Sequence, residues 1–263
     1  DWNKTVGKIR SELDQAVPTE IALGMAHPAT LQAAVDALQK RGVKKIVAVP
    51  LFAHSQSEVL AHTRYVLKLS DKPSEVLRDA LAAMAHQAAK GGEHAHHAFS
   101  MERVQARVPV VMSKALDDHP LVSDVALRRA RALSREAKTE TVILVGHGPV
   151  DEQANAAWLE TMSVQAGRVA SAGGFRAVVA ATIRDDSPPQ VKGPAISALR
   201  ELVAAASRDG GRAVVVPYLI ARGGIENHIL NALNGLTFAW DGRTLCPDQA
   251  ITEVMRARVK ENL

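Results

Sequence analysis

The sequence is poor in cysteine, in aromatic residues and in long apolar runs, and each shortage excludes a class of protein. Cys246 is the single cysteine among 263 residues, which excludes internal disulfides and a four-thiolate zinc site. Aromatic residues make up only 3 % of the chain. No apolar run approaches the roughly 18–20 residues that span a bilayer, and no signal peptide is visible at the start. We therefore expect a soluble protein.

An excess of charge of one sign is also missing. The chain has 32 Lys and Arg residues and 28 Asp and Glu residues, which give a formal net charge of +4. Because the basic residues are scattered along the chain, this mild excess favours an acidic small molecule as ligand and does not indicate nucleic acid.

Four common catalytic signatures are absent. The sequence contains no G-x-S-x-G, no G-x-x-x-x-G-K-[ST], no G-x-G-x-x-G and no H-E-x-x-H pattern. These absences argue against serine hydrolases, P-loop enzymes and helical zinc proteases.

What the sequence does contain is an alternation of strand-like runs rich in Val, Ile and Ala with longer segments of helical period. This alternation predicts α/β units with mostly parallel sheets. The predicted strands are "EIALGMA", "KKIVAVPLF", "VPVVMS", "TVILVG", "RAVVAATI", "RAVVVPY" and "LTFAW". The predicted helices cover about 2–15, 29–41, 57–67, 74–90, 121–136, 151–171, 193–208 and 248–261, with a short one from 225.

The two halves of the chain match each other, which indicates an internal duplication. "KKIVAVPLFAHSQSEV" pairs with "RAVVVPYLIARGGIEN", and "DWNKTVGKI" pairs with "AAWLETMSV". The pairing predicts two lobes, 1–138 and 139–263, each with a four-stranded sheet, and a His-rich insertion over about 71–104 in the first lobe. Because "TVILVGHG" has no partner in the first half, whose match would lie before Asp1, we expect the sequence to start inside its first repeat.

A Gly-His-Gly step interrupts the chain where the "TVILVG" strand ends. In a parallel sheet of strand order 2-1-3-4, the loops after the first and third strands flank the point where ligands bind. His147 would therefore face the loop "PYLIARGGIENHI", while Gly146 and Gly148 permit a tight turn. An imidazole at this position can bind a metal or move a proton near neutral pH. The alternative is a structural role, in which His147 lies in a turn and caps the helix that follows.

The set of motifs resembles one known family. "VILVGHGPVDEQANAAW", "VPLFAHSQSEV", "VPYLIARGGIENHI" and "LDDHPLV" resemble the class II chelatases, in particular the CbiX-like sirohydrochlorin chelatases, over essentially the whole chain. The resemblance implies two flavodoxin-like lobes around a cleft that takes up a carboxylate-rich tetrapyrrole. It also implies ATP-independent insertion of cobalt, iron or nickel as a substrate, without a tightly bound cofactor. The cytoplasm is the expected compartment, and the expected assembly is a two-lobed monomer or a homodimer.

The same resemblance indicates which residues would act. His147 matches the family's first histidine, with Pro149 in place of the following serine, whereas Ile225 stands where the family has its second histidine. The nearest substitutes are Glu226 and His228, so His147, Glu226 and His228 are the predicted catalytic residues and His147 and His228 the predicted metal ligands. His54 and Glu58 are their equivalents in the first lobe.

Further residues are predicted to assist. Substrate contacts are expected from Gly148, Arg222, Gly223 and Gly224. The tract "GGEHAHH" is a candidate metal store, since a loop with several imidazoles can wrap an ion. Its ligands would be Glu93, His94, His96 and His97.

Two other functions stay open. One is a protein with a chelatase-like fold that carries a tetrapyrrole or a metal without turnover, which the unmatched second histidine favours. The other is an α/β protein that binds a sugar or nucleotide, which would follow if His147 faced away from a cleft.

For His119, which precedes Pro120, we expect a structural role in a helix start capped by Asp117 or Asp118.

Overall fold

The computed structural model describes residues 2–24, 26–73 and 102–263, and these residues form two compact units. The larger unit contains Leu51–His54 and Ala115–Ala257 together with the start of the chain up to Gly7. The smaller unit contains the described residues of Lys8–Pro50 and Ser55–Lys114, with Arg258–Leu263. The lobe boundary between 138 and 139 remains a prediction.

The described residues include eight helices. In chain order they are α1 Trp2–Asp14, α2 Pro28–Lys40, α3 Glu58–Val66, α4 Pro120–Leu133, α5 Glu152–Gly173, α6 Pro189–Ala206, α7 Ile225–Ala232 and α8 Gln249–Lys260. Each begins and ends within a few residues of its predicted bounds, while the predicted helix over 74–90 lies outside the described residues. None of the described helices is long and apolar enough to cross a membrane.

The smaller unit has a two-stranded parallel sheet. Its strands are β1 (Ile46–Ala48) and β2 (Val110–Met112), with Ile46 opposite Val110. A cluster of apolar side chains from α2, α3 and these strands forms its core. The buried members are Val35, Ile46, Val66, Leu67 and Val104.

The larger unit has a three-stranded parallel sheet of β3 (Glu140–Gly146), β4 (Ala177–Thr182) and β5 (Arg212–Pro217). The strand order is β4-β3-β5, so the first strand lies between the second and the third, as predicted. All seven residues of β3 are buried, which is typical of a central parallel strand covered by helices on both faces. On one face, Ile143 and Val145 belong to a core cluster that includes Leu199 of α6.

The prediction of two four-stranded sheets was wrong for the described residues, which form sheets of two and three strands. The segment "EIALGMA" forms no strand where it is described, because Gly24 and Ala26 have positive φ angles of 117° and 59°, which extended backbone does not have. In "LTFAW", Ala239 alone makes a parallel bridge to Val214, beside β5. The fourth strand is thus reduced to one bridge at the predicted place.

The side chains that cap two helices differ from those that the sequence suggested. The helix α4 begins at Pro120 as expected, but its cap hydrogen bond is accepted by Nδ1 of His119 from the Leu121 N–H at 3.3 Å, not by the predicted Asp117 or Asp118. The helix α5 is capped by Asp151, whose Oδ1 accepts from the Ala154 N–H at 2.7 Å. A capping role for His147 is therefore excluded.

Candidate active site

The carboxyl ends of the three parallel strands place their following residues at one edge of the sheet. Gly146 lies opposite Thr182, and the ladder continues past the strand ends, where the N–H of Arg184 donates to the carbonyl of His147 at 2.7 Å. The N–H of Tyr218 donates to the carbonyl of Val145 at 2.7 Å. The first residues of the three loops are therefore held in register.

His147 is the first residue beyond β3 and is partly accessible to solvent. Its side chain is 25 % exposed, and Nε2 lies 3.3 Å from Oδ2 of Asp186, whose own side chain is 75 % exposed. Nε2 itself is buried from solvent and has no hydrogen-bond partner among the described residues. The imidazole thus has a nitrogen without a hydrogen bond and an exposed carboxylate beside it, which suits a proton acceptor or a metal ligand.

Gly148 turns the chain directly after His147. Its φ is +77°, and a Cβ atom built on it would lie 2.6 Å from Cβ of Thr182 and 2.9 Å from Oδ1 of Asn155. Thr182 and Asn155 are themselves joined by a buried hydrogen bond of 2.8 Å. A glycine is therefore required both by the backbone angle and by the space, as predicted for a tight turn.

Gly148→Ala is expected to destabilise the protein by about 2–3 kcal/mol, the sum of a left-handed backbone and an overpacked contact. The matched control is Gly174→Ala, since Gly174 has a φ of +67° but nothing within 4 Å of its added Cβ. The control should cost about 1 kcal/mol, because only the backbone strain remains. Urea unfolding measures both, and equal losses would show that the contact with Thr182 contributes nothing.

His228 lies in α7 and contacts a residue of the loop after β4. Its Nδ1 is hydrogen-bonded to Oδ2 of Asp185, and the ammonium of Lys192 is bonded to the other carboxylate oxygen. Burial by itself would raise the pKa of Asp185, but these two hydrogen bonds outweigh it and lower the pKa below its ordinary value. Asp185 is therefore an ionised carboxylate at neutral pH, and it orients an imidazole that is 54 % exposed.

Glu226 is engaged with its own turn. Its Oε2 accepts from the N–H groups of Gly223 at 3.2 Å and Gly224 at 3.1 Å. Burial raises its pKa, but hydrogen bonds from backbone N–H groups, including these two, lower it overall. Gly224 has a φ of +112° and is the N-cap residue of α7, so Glu226 stabilises a helix start. A proton-transfer role for Glu226 remains a prediction.

Arg222 is exposed but oriented by a neighbouring loop. Its Nε donates to the carbonyl of Gly242 at 3.1 Å, and its Nη2 donates to the carbonyl of Asp241 at 3.3 Å. The guanidinium is thus held in one orientation beside the Gly-Gly turn, where it would be able to meet a carboxylate.

His54 and Glu58, the two residues predicted from the first half of the chain, belong to different units. His54 belongs to the larger unit and is buried, with Nε2 2.9 Å from Oγ1 of Thr161 and its ring centroid 5.5 Å from that of Trp158. Glu58 is exposed, is the first residue of α3 and belongs to the smaller unit. The predicted metal store Glu93, His94, His96 and His97 lies outside the described residues.

Two imidazole–carboxylate pairs therefore lie at the carboxyl edge of the larger sheet: His147 with Asp186, and His228 with Asp185. Within residues 2–24, 26–73 and 102–263, no group of three or more His, Cys, Asp or Glu side chains is arranged to hold a metal. Sequence reasoning found both histidines but missed Asp185 and Asp186. Their signal was available, because they follow "RAVVAATI" at the same strand edge.

Solved structures place this architecture among the chelatases. SirB from Bacillus subtilis, solved with Fe3+, superposes with a TM-score of 0.62 at 13 % identity, over 98 % of this chain and 88 % of its own. DR2241 from Deinococcus radiodurans, described as a multi-domain protein with structural similarity to chelatases, gives a TM-score of 0.50 at 17 % identity, over 99 % of this chain and 51 % of its own. The chain therefore has a chelatase fold.

The family follows from a sequence comparison. The CbiX family model matches residues 1–133, slightly more than half of the 263 residues, and the chain belongs to the CbiX family. Family and fold together support a metal chelatase function in tetrapyrrole pathways. No curated protein matches the sequence.

Proposed function

We propose that the protein inserts a divalent metal, cobalt or iron, into a sirohydrochlorin-type tetrapyrrole without ATP. The observation that carries this proposal is the pair of histidines at one strand edge, each beside a carboxylate. Such an insertion step belongs to the synthesis of cobalamin and of sirohaem, the two pathways that the family resemblance implies. Imidazole is a suitable ligand for cobalt, iron and nickel, so the side chains present fit the metals that such a reaction uses.

The chemistry requires proton removal and metal delivery at one place. Two pyrrole N–H groups must lose their protons while the metal loses its water ligands. The unbonded Nε2 of His147 is placed to take a proton or to bind the metal, and Asp186 is close enough to pass the proton to solvent. Holding the ring and the ion in register is then the main task of the surrounding loops.

His228 complements His147. Since its Nδ1 faces the ionised Asp185, the tautomer with the proton on Nδ1 leaves Nε2 with a lone pair directed away from that carboxylate. A carboxylate behind an imidazole fixes the ring and makes its other nitrogen a better ligand. Arg222, already oriented by Gly242 and Asp241, is the proposed partner of a substrate carboxylate, next to Gly223 and Gly224.

The direct test mixes the purified protein with sirohydrochlorin and Co2+ and follows the absorption spectrum of the ring. The expected result is conversion faster than the spontaneous reaction, with the excess rate proportional to protein concentration. Repeating it with Fe2+ and Ni2+ ranks the metals. A spontaneous rate with every metal would overturn the proposal.

A non-catalytic carrier with the same fold is the second candidate function. Two observations favour it: Ile225 stands at the place of the family's second histidine, and the described residues contain no three-ligand metal group. The same experiment separates the two functions, because a carrier would change the ring spectrum on binding, in proportion to the protein added, without any acceleration of metal insertion.

Asp185→Asn is expected to lower kcat for metal insertion by about 10–100-fold, the usual cost of removing the partner that orients a ligating histidine. The matched control is Lys192→Met, which removes the other partner of Asp185 and leaves the contact with His228 in place. Steady-state insertion assays measure both variants. If Lys192→Met lost as much activity as Asp185→Asn, orientation of His228 would not be the cause.

A further inference from the structure

Arg184 is a buried cation that no predicted role includes. It follows β4 by two residues, its side chain is only 7 % exposed, and its φ of +49° lies in the left-handed region that a non-glycine residue rarely adopts. A charge in such surroundings is costly unless polar groups compensate it. A strained backbone at a strand end often marks a functional position, so its contacts are informative.

The Arg184 guanidinium contacts the loop that carries His147 and the first residue of the helix that follows this loop. Nε donates to the carbonyl of Pro149 at 3.1 Å, and Nη2 donates to the carbonyl of Val150 at 2.5 Å. Nη1 pairs with the carboxylate of Glu152. The backbone N–H of Arg184 donates to the carbonyl of His147 itself, at 2.7 Å.

The planar guanidinium explains why arginine stands here. Two nitrogen atoms of one rigid group, Nε and Nη2, reach the carbonyls of two consecutive loop residues, Pro149 and Val150, which a lysine ammonium on a flexible stem does not reproduce. The backbone hydrogen bond from Arg184 fixes the position of His147, and the Arg184 side chain fixes the positions of Pro149 and Val150. The loop contains Gly148, and the conformational freedom of a glycine leaves the path of the loop weakly determined without such contacts.

We infer that Arg184 is a positioning residue that holds the His147 loop in the geometry needed for metal insertion. This inference rests on the proposed function and extends it from the histidine to the group that sets its place. Arg184 acts through the loop and does not itself meet the substrate. Its loss should therefore reduce the rate of the chemical step more than the binding of ring or metal.

The test compares Arg184→Met, Arg184→Lys and Glu152→Gln in the intact chain. Glu152 is the matched control, because its side chain is 80 % exposed and its loss leaves the carbonyl contacts of Arg184 intact. Arg184→Met should lower kcat by about 10–100-fold, the scale of a small misplacement, while KM for ring and metal changes by less than about threefold. Arg184→Lys should recover part of kcat, and Glu152→Gln should stay within about twofold of the parent.

A folded Arg184→Met protein with the parent kcat, or a Glu152→Gln protein as impaired as Arg184→Met, would overturn the inference. So would an equal rise in KM and fall in kcat. If Arg184→Met does not fold, as judged by thermal unfolding, Arg184→Lys carries the test. In that case a parent-like kcat in Arg184→Lys contradicts the inference.

A second measurement separates this inference from the proposed function. Amide hydrogen exchange in Arg184→Met, or in Arg184→Lys, should accelerate by about tenfold or more at residues 148 and 150–152 and remain unchanged in β5. This result needs no insertion activity, so it would survive a parent protein that does not insert metal. Unchanged exchange in the loop would overturn the inference even if the parent is an active chelatase.

Discussion

His147→Ala should reduce metal insertion to its spontaneous rate, a loss of about 10²–10⁴-fold, the range that a positioned acid or base contributes. The reason is local: His147 supplies a ring nitrogen without a hydrogen-bond partner among the described residues, at the edge where the loops of the sheet meet. Stopped-flow absorption of the tetrapyrrole with Co2+ gives the rate. Circular dichroism confirms that the variant keeps the fold, which is expected because the imidazole makes no cap hydrogen bond.

His27→Ala is the matched control for this substitution. His27 is an exposed histidine at the start of α2, and its side chain makes no cap hydrogen bond. It should leave the rate within about twofold of the parent, as most surface substitutions do. Retention of insertion activity by His147→Ala would show that the site assignment is wrong, whatever His27→Ala does.

Glu140→Ala should destabilise the larger unit by about 3–5 kcal/mol, the usual cost of removing one partner of a buried ion pair. Glu140 begins β3, is 1 % exposed and accepts from the N–H of Arg135 at 2.8 Å and from Nη1 of Arg212 at 2.6 Å. The hydroxyl of Ser134 donates to its other oxygen. Without the carboxylate these donors lose their acceptor inside the protein. Urea unfolding of the variant at neutral pH measures the loss.

The pH dependence of this contribution has a definite sign. Burial raises the pKa of Glu140, but the hydrogen bonds from Ser134, Arg135 and Arg212 outweigh it and lower the pKa below its ordinary value of 4.5. The stabilisation is therefore fully present above pH 4.5 and is lost as the pH falls through the lowered pKa. The difference in the free energy of unfolding between the parent and Glu140→Ala should therefore become smaller as the pH falls in that range.

Glu160→Gln is the control for the acid titration. Glu160 is exposed on α5, so its substitution should change the free energy of unfolding by no more than about 0.5 kcal/mol at any pH. If the difference in the free energy of unfolding between the parent and Glu140→Ala stays constant on acidification, the charge of Glu140 contributes nothing to stability.

The larger sheet was predictable because its strands are continuous apolar runs. Each run is longer than a short strand and ends at a helix or turn signal, as in "TVILVG", "RAVVAATI" and "RAVVVPY". The strand order was predictable because parallel strands that are joined by helices adopt only a few orders. "EIALGMA" has a similar composition but forms no strand where it is described, because its backbone turns at Gly24 and Ala26. Composition does not encode that turn.

The residues of the candidate site were predictable only where neighbouring residues in the sequence determine their position. The Gly-His-Gly step placed His147 correctly, since a glycine turn after a buried strand is a local signal. Asp185 and Arg184 were missed because their partners are tens of residues away, such as His228, which is 43 positions from Asp185. Glu226 was predicted from its place beside the unmatched second histidine, and nothing in the sequence indicated that its carboxylate accepts from the N–H groups of its own turn. Its catalytic role stays a prediction.

The central claim is that the carboxyl edge of β3, β4 and β5 is where the metal meets the ring. Its most direct test is a crystal of the protein grown with Co2+ and a tetrapyrrole, with data collected at the cobalt absorption edge. The account predicts an anomalous peak within bonding distance of Nε2 of His147, absent in His147→Ala. A peak held only by other residues, such as His94, His96 and His97, with none at His147, would contradict it.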